Sequence, residues 1–118
     1  MKKINIGLAG FGMSAQVFHL PFWRVDGRFD VVKVFERSSD KAKDVLPEAE
    51  TVRNFDDLLK DDVDLIVITT PNQTHFELAK QALSAGKHVV VEKPLCATAE
   101  EALMLADLAD QQGVLLSV

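Results

Sequence analysis

Short apolar runs alternate along this chain with stretches whose apolar residues recur at helical spacing. Ile4–Ala9 is apolar, β-prone and followed by glycines, the pattern of a buried strand. Residues 13–25 read as a helix, with Pro21 predicting a kink or restart because it lacks an N–H and clashes with the preceding turn. A second strand is predicted over 31–35. Ser38-Ser39-Asp40 can cap a short helix that Pro47 limits, Thr51-Val52 forms a brief third strand, and Asn54 with Asp57 opens another short helix. Leu65–Ile68 is an unbroken apolar run, which implies burial on both faces, as in parallel sheets. Thr74-His75-Phe76-Glu77 fits a capping box. Phe76, Ala79, Ala82 and Leu83 then recur at helical spacing up to Gly86. His88–Val91 is the next strand. Thr98-Ala99-Glu100-Glu101 is a second capping box, and its helix, lined by Ala102, Leu105, Ala106 and Ala109, ends at Gly113 before a last strand over 114–118.

Strands alternating with helices predict an α/β fold, a parallel sheet covered on both faces and doubly wound through right-handed crossovers. The 118 residues suit one domain spanning 1–118, long enough to bury a core without staples. No repeat, low-complexity segment or linker interrupts it. The chain stops inside an apolar strand, the pattern of a piece of a longer protein.

Composition narrows the function classes. Hydrophobic residues make up 47% and charged residues 26%, near the average for globular proteins. The net charge is −5 with both signs interspersed, so no basic patch marks a nucleic-acid surface. Phosphate binding stays open, because backbone N–H groups can supply it locally. Cys96 is the one cysteine, which excludes an internal disulfide and a Cys-rich metal site and fits a cytoplasmic setting; it reads as a small apolar residue. No apolar run approaches the roughly 18 residues of a membrane span. Met1-Lys2-Lys3 could open an export signal, but Asn5, Gly7, Gly10 and Gly12 break the apolar stretch that follows.

The segment Gly10-Phe11-Gly12-Met13-Ser14-Ala15 matches the G-x-G-x-x-G/A dinucleotide fingerprint, between a predicted strand and a predicted helix. Gly10 permits the tight turn, Gly12 leaves room for a pyrophosphate, and Ala15 lets the helix sit close to the sheet. The helix start then offers free N–H groups to the phosphates. Without Gly-Lys-Ser/Thr, a P-loop enzyme is disfavoured. Glu36 ends the second strand 26 positions after Gly10, where an acidic residue would accept the ribose hydroxyls of NAD. Arg37 and Ser38 follow, and could instead grip the 2′-phosphate of NADP. If Glu36 faces the ribose it repels a phosphate; if it turns outward, Arg37 is free to bind one. The cofactor is therefore NAD or NADP, with a slight lean to NADP.

Three further segments carry a family resemblance: Thr69-Thr70-Pro71-Asn72-Gln73-Thr74-His75, Ala85-Gly86-Lys87-His88-Val89 and Glu92-Lys93-Pro94-Leu95. With the glycine loop, their order and spacing resemble the N-terminal NAD(P)-binding Rossmann domain of the Gfo/Idh/MocA (glucose-fructose oxidoreductase / inositol dehydrogenase) oxidoreductases, across essentially the whole chain. Phe18-His19-Leu20-Pro21 is similar to a subgroup that includes NADP-linked scyllo-inositol dehydrogenases. The resemblance implies that Gly10, Phe11, Gly12, Met13 and Ser14 wrap the pyrophosphate and that Glu36, Arg37 and Ser38 meet the adenosine ribose. It implies that Thr69, Thr70, Pro71 and Asn72 border the dinucleotide, that His75 sits at the next helix start, and that Glu92 lies near the nicotinamide ribose. Lys93 becomes the catalytic candidate, beside nicotinamide and substrate. Its place after a strand of the sheet fits independently, since open α/β sheets bind ligands at strand C-terminal ends. A lysine there can stabilise negative charge on the substrate oxygen. Read without the resemblance, Lys93 is an exposed lysine and His75 a histidine that hydrogen-bonds the backbone at the first turn of a helix.

The family's enzymes carry a second, mostly β domain that supplies the substrate pocket and an acid–base group, and no segment of this chain can be it. The expectation is the cofactor half of an NAD(P)-dependent dehydrogenase acting on a sugar or polyol hydroxyl, inactive alone, with a homo-oligomer possible in the whole protein. The alternative is a stand-alone nucleotide-binding or redox-sensing module, which gives no reason for a lysine at the nicotinamide. A methyltransferase would share the glycine loop and acid but leaves Glu92-Lys93-Pro94 unexplained.

Overall fold

The computed structural model describes residues 3–12 and 26–118. The helix predicted over 13–25 lies outside the described residues, and with it Met13, Ser14, Ala15, His19, Pro21, Phe22 and Trp23. The described elements run β1 (Ile4–Ala9), β2 (Phe29–Phe35), α1 (Lys41–Val45), β3 (Glu50–Val52), a 3-10 turn at Phe55–Leu59, β4 (Leu65–Ile68), a 3-10 turn at Asn72–Thr74, α2 (His75–Ser84), β5 (His88–Val91), α3 (Ala99–Gln112) and β6 (Leu116–Ser117). All strand pairs are parallel, in the order β3-β2-β1-β4-β5-β6. The order reverses at β1, which lies between β2 and β4; such a reversal opens a crevice at the strand C-terminal ends.

The unbroken apolar strands follow from burial on both faces. In β4, Val67 packs with Ile6, Leu8, Val34, Ala42 and Leu46, while Ile66 and Ile68 point the other way, into a core with Ala79, Ala82 and Leu83 of α2 and Leu105 and Ala109 of α3. Successive side chains alternate faces, so a strand covered on both sides needs apolar residues at every position. Complete burial of one such aliphatic side chain is worth roughly 1.5–3 kcal/mol. Lys87 is a buried charged group at the edge of this core. Its buried Nζ donates to the carbonyls of Lys60 and Val63, both at 2.6 Å, and ties the turn before β4 to the start of β5.

The two predicted capping boxes separate. Thr98 is extended at φ −133°, its hydroxyl accepts from the Glu101 N–H at 3.1 Å, and the Glu101 carboxylate accepts from the Ala97 N–H at 3.0 Å. At Thr74 the box does not form. The 3-10 turn Asn72–Thr74 runs straight into α2, so Thr74 already has helical dihedrals (φ −93°, ψ −13°) and its side chain makes no cap bond. An N-cap hydroxyl reaches the following N–H groups from extended backbone, which Thr74 lacks. Its hydroxyl donates to the Pro71 carbonyl or meets the Thr70 hydroxyl, each at 2.6 Å. Asp40 and Asn54 likewise precede their short helices without side-chain cap bonds.

Thr98→Ala should lower unfolding stability by about 1 kcal/mol in urea titrations, and Thr98→Ser should restore most of it, because either hydroxyl satisfies the first turn of α3.

Candidate functional site

A cavity of about 420 Å³ opens at the C-terminal ends of β1, β2 and β4. Gly10, Phe11 and Gly12 border it from β1, Glu36, Arg37 and Ser38 from β2, and Thr69, Thr70 and Pro71 from β4. Each of these nine was singled out in the sequence, and the topology brings them together. Phe35, Ser39 and Lys41 also line the cavity and were missed. Lys41 opens α1, and its position after the Arg37-Ser38 pair was the available signal.

The approach at Gly10 is set by sterics. Its φ is +89°, which L side chains rarely adopt, and a Cβ there would stand 3.0 Å from Thr69 Oγ1 and 3.2 Å from Thr70 Cγ2. The Gly10 N–H donates to the Phe35 carbonyl at 2.9 Å, and the Thr69 N–H to the Ala9 carbonyl at 2.9 Å. The Thr69 hydroxyl lies within reach of the carbonyls of Ala9 (2.9 Å) and Gly10 (3.1 Å). Gly12 differs: it is exposed, and a Cβ there would meet no described atom within 4 Å. An open position on the cavity wall, just after the strand, fits a pyrophosphate approaching the backbone.

Glu36 takes neither of the two orientations weighed from the sequence. It is buried, with one carboxylate oxygen accepting from the Ser39 hydroxyl at 2.7 Å and the other from the Ala42 N–H at 3.1 Å. It thus satisfies the first turn of α1, in place of the cap expected from Ser38-Ser39-Asp40. Arg53, beyond the end of β3, holds the same loop from below. Its guanidinium donates to the carbonyls of Glu36 (3.0 Å) and Ser39 (2.5 Å) and pairs with Asp40. The hydrogen bond from Arg53 keeps the exposed Asp40 carboxyl below the usual carboxylate range. Arg37, Ser38 and Lys41 remain exposed on the cavity.

Among the described residues, the remaining candidates do not line this cavity. Asn72 is exposed at the start of the 3-10 turn. His75 does begin α2, as expected, but it is 1% exposed, with Nδ1 2.7 Å from the Pro94 carbonyl and Nε2 2.8 Å from the Thr70 carbonyl. Glu92 is half-buried just past β5, its N–H donating to the Ile68 carbonyl at 3.1 Å, and Lys93 is exposed beside it. The Lys93-Pro94 peptide is cis. The Cys96 thiol donates to the Thr98 carbonyl at 3.2 Å. Among the described residues, no group of three or more His, Cys, Asp or Glu could hold a metal ion, and no helix is long and apolar enough to cross a membrane.

Comparison with known proteins matches this architecture. A family model described as an oxidoreductase family with an NAD-binding Rossmann fold covers residues 4–118. The chain is 40% identical over 116 residues to scyllo-inositol 2-dehydrogenase (NADP(+)) IolW of Bacillus subtilis, covering 98% of this chain and 32% of that protein. It is 39% identical over 106 residues to galactose 1-dehydrogenase of Pseudomonas fluorescens, covering 88% of this chain and 33% of that enzyme. Among solved structures, the 3-ketoreductase KijD10 of Actinomadura kijaniata, in complex with NADP and TDP-benzene, superposes with a TM-score of 0.90 at 33% identity, over 98% of this chain and 36% of that one. The chain thus spans about a third of the length of the relatives it matches. With the parallel sheet, the glycine loop at its switch point and a family model over nearly every residue, this chain belongs to the Gfo/Idh/MocA oxidoreductases and forms their NAD-binding Rossmann domain.

Proposed function

We propose that this chain is the cofactor-binding part of an NADP-linked dehydrogenase acting on a sugar or polyol hydroxyl. The observation that carries the cofactor choice is the position of Glu36. Its carboxylate is engaged by Ser39 and Ala42. A carboxylate so engaged is a poor partner for a ribose diol. Arg37, Ser38 and Lys41 stand on the same wall, exposed, with two cationic groups and a hydroxyl. That set suits a 2′-phosphate, since a guanidinium pairs with phosphate oxygens through parallel N–H donors. The names of two similar proteins, one an NADP(+) inositol dehydrogenase and one a ketoreductase with NADP bound, support the same choice. Inositol and galactose in the relatives' names support the substrate class.

The bound nicotinamide would supply the hydride acceptor or donor. The chain's residues would do the rest of the cofactor's binding and part of the substrate's. Gly10, Phe11 and Gly12 present backbone to the pyrophosphate, continued by Met13 and Ser14, while Arg37, Ser38 and Lys41 take the adenosine end. Thr69, Thr70, Pro71 and Asn72 border the middle of the dinucleotide, and Glu92 the nicotinamide ribose. Lys93, exposed beyond β5, donates a hydrogen bond to the substrate oxygen and stabilises the negative charge that develops there. The group that exchanges a proton with the hydroxyl comes, on this reading, from residues outside this chain.

Three outcomes are expected of the 118-residue chain. It should bind NADPH, seen by the change in nicotinamide fluorescence, yet turn over no sugar or polyol when NADP is supplied; robust turnover would show that the chain holds its own acid–base group. Arg37→Ala should weaken NADPH by about tenfold or more while changing NADH by less than about threefold, because an arginine–phosphate contact is worth roughly 1.5–3 kcal/mol. Titrations at fixed ionic strength check this, and equal losses for both cofactors would make Arg37 a stacking or structural residue. Gly12→Val should cost at least about a hundredfold in NADPH affinity with little change in melting temperature, since the side chain would fill the space left for phosphate while meeting no described protein atom.

A further inference from the structure

Among the described residues, His75 is the one buried polar side chain that touches the loops after β4 and β5 at once. Its Nε2 faces the carbonyl of Thr70, which lines the cavity opposite Gly10. Its Nδ1 faces the carbonyl of Pro94, the residue after Lys93. On the other side of Lys93, the Glu92 N–H is bonded to the Ile68 carbonyl at the end of β4. Lys93 is thus exposed itself but anchored one residue before and one residue after. The first anchor belongs to the sheet, the second to the His75 ring.

Carbonyl oxygens only accept, so the ring must donate; a neutral imidazole carries one N–H and donates to one of the two carbonyls in each tautomer, while the other ring nitrogen packs against the second. The ring is 1% exposed. Hydrogen bonds from a buried ring fix geometry, because breaking one leaves the buried ring nitrogen without a partner. Thr70 is held in turn by its hydroxyl contact with Thr74, one residue before His75. His75 and Thr74 therefore hold the loop after β4 through Thr70 and Pro71, and His75 alone of the two reaches the loop after β5.

We propose that His75 is a positioning residue: it couples the Thr70 wall of the dinucleotide cavity to the Pro94 carbonyl and so sets Lys93 relative to the nicotinamide end of the bound cofactor. This rests on the dinucleotide reading above. The coupling gives His75 an effect on one half of the ligand only. The adenosine half meets Arg37, Ser38 and Lys41, which His75 does not touch among the contacts described. The nicotinamide half meets the loop that His75 holds.

Side-chain length offers a way to separate the two anchors. In His75→Asn the amide nitrogen takes roughly the place of Nδ1 and can still donate toward Pro94. In His75→Gln it takes roughly the place of Nε2, keeping the Thr70 contact and dropping Pro94. Both variants of the 118-residue chain and the parent would be titrated with NADPH and with 2′,5′-ADP, which carries only the adenosine half. His75→Gln should lose about tenfold in NADPH affinity and leave 2′,5′-ADP within about twofold, and His75→Asn should recover most of the loss. Unchanged NADPH affinity in a folded His75→Gln variant, equal losses for both ligands, or no recovery in His75→Asn would overturn the proposal. A measurement on the parent chain covers the case in which a variant does not fold. The ring ¹⁵N resonances of His75 should shift on adding NADPH and stay in place on adding 2′,5′-ADP; resonances indifferent to NADPH would also overturn it. A parent chain that binds neither ligand would instead sink the dinucleotide reading itself, and with it the role of His75.

Discussion

At Gly10 the backbone turns with φ +89° while Thr69 and Thr70 close to within contact distance of where a side chain would begin. This close approach of the β1 and β4 ends is the constraint on which the site depends. It lets the Ala9-Gly10 pair join three strand ends: the Gly10 N–H reaches the Phe35 carbonyl at the end of β2, and the Thr69 N–H, after β4, bonds back to the Ala9 carbonyl at the end of β1. The crevice lies where the strand order reverses, between neighbours whose connections run in opposite directions. A side chain at Gly10 would push β4 away and open the cavity wall, whatever the quality of the core beneath.

Buried polar groups then fix the loops that the sheet only brings near. Among the described residues, Lys33, Glu36, His75 and Lys87 are the buried charged or polar side chains. Each is bonded to backbone in a loop or at a helix start. Lys33 donates to the Asp57 carbonyl and to the Asp62 carboxylate, and Lys87 to the Lys60 and Val63 carbonyls, so both stitch the segment ahead of β4. Glu36 binds the start of α1, and His75 binds the loops after β4 and β5. Loops have no repeating hydrogen-bond ladder of their own, and a buried side chain supplies the missing partner. Two of these groups stabilise the end away from the cavity, and two shape the cavity's rim.

Charge at the rim follows from the same economy. Glu36 spends its carboxylate on local N–H and O–H donors, and Arg53 spends its guanidinium on the carbonyls of Glu36 and Ser39 and on Asp40. The two groups that would otherwise set opposing fields at this wall of the cavity are engaged with the protein. Arg37 and Lys41 are left facing the cavity, which makes an acidic chain locally receptive to phosphate.

The order of strands and helices was legible in the sequence because burial on both faces writes itself as unbroken apolar runs, as at Leu65–Ile68, and because glycines and capping residues punctuate the helices. The strand bounds moved by one or two residues; β2, for instance, begins at Phe29 rather than Val31. That Gly10-Phe11-Gly12, Arg37-Ser38 and Thr69-Thr70-Pro71 would border one cavity was legible because each follows a strand end, and a parallel sheet with reversed strand order opens a crevice there. What the tertiary structure alone decided were the hydrogen-bond partners of individual side chains, near and far in the chain. The sequence could not say that Glu36 would turn into α1, since its two donors exist only once Ser39 and Ala42 fold over it. It could not say that Thr98 would cap while Thr74 would not, because the difference lies in dihedrals imposed by the preceding 3-10 turn. Nor could it pair His75 with a carbonyl 19 residues away, or bring Arg53 under the loop after β2. Periodicity records which residues are buried. A hydrogen bond between distant loops leaves no period, and its partners are chosen by the packing that surrounds them.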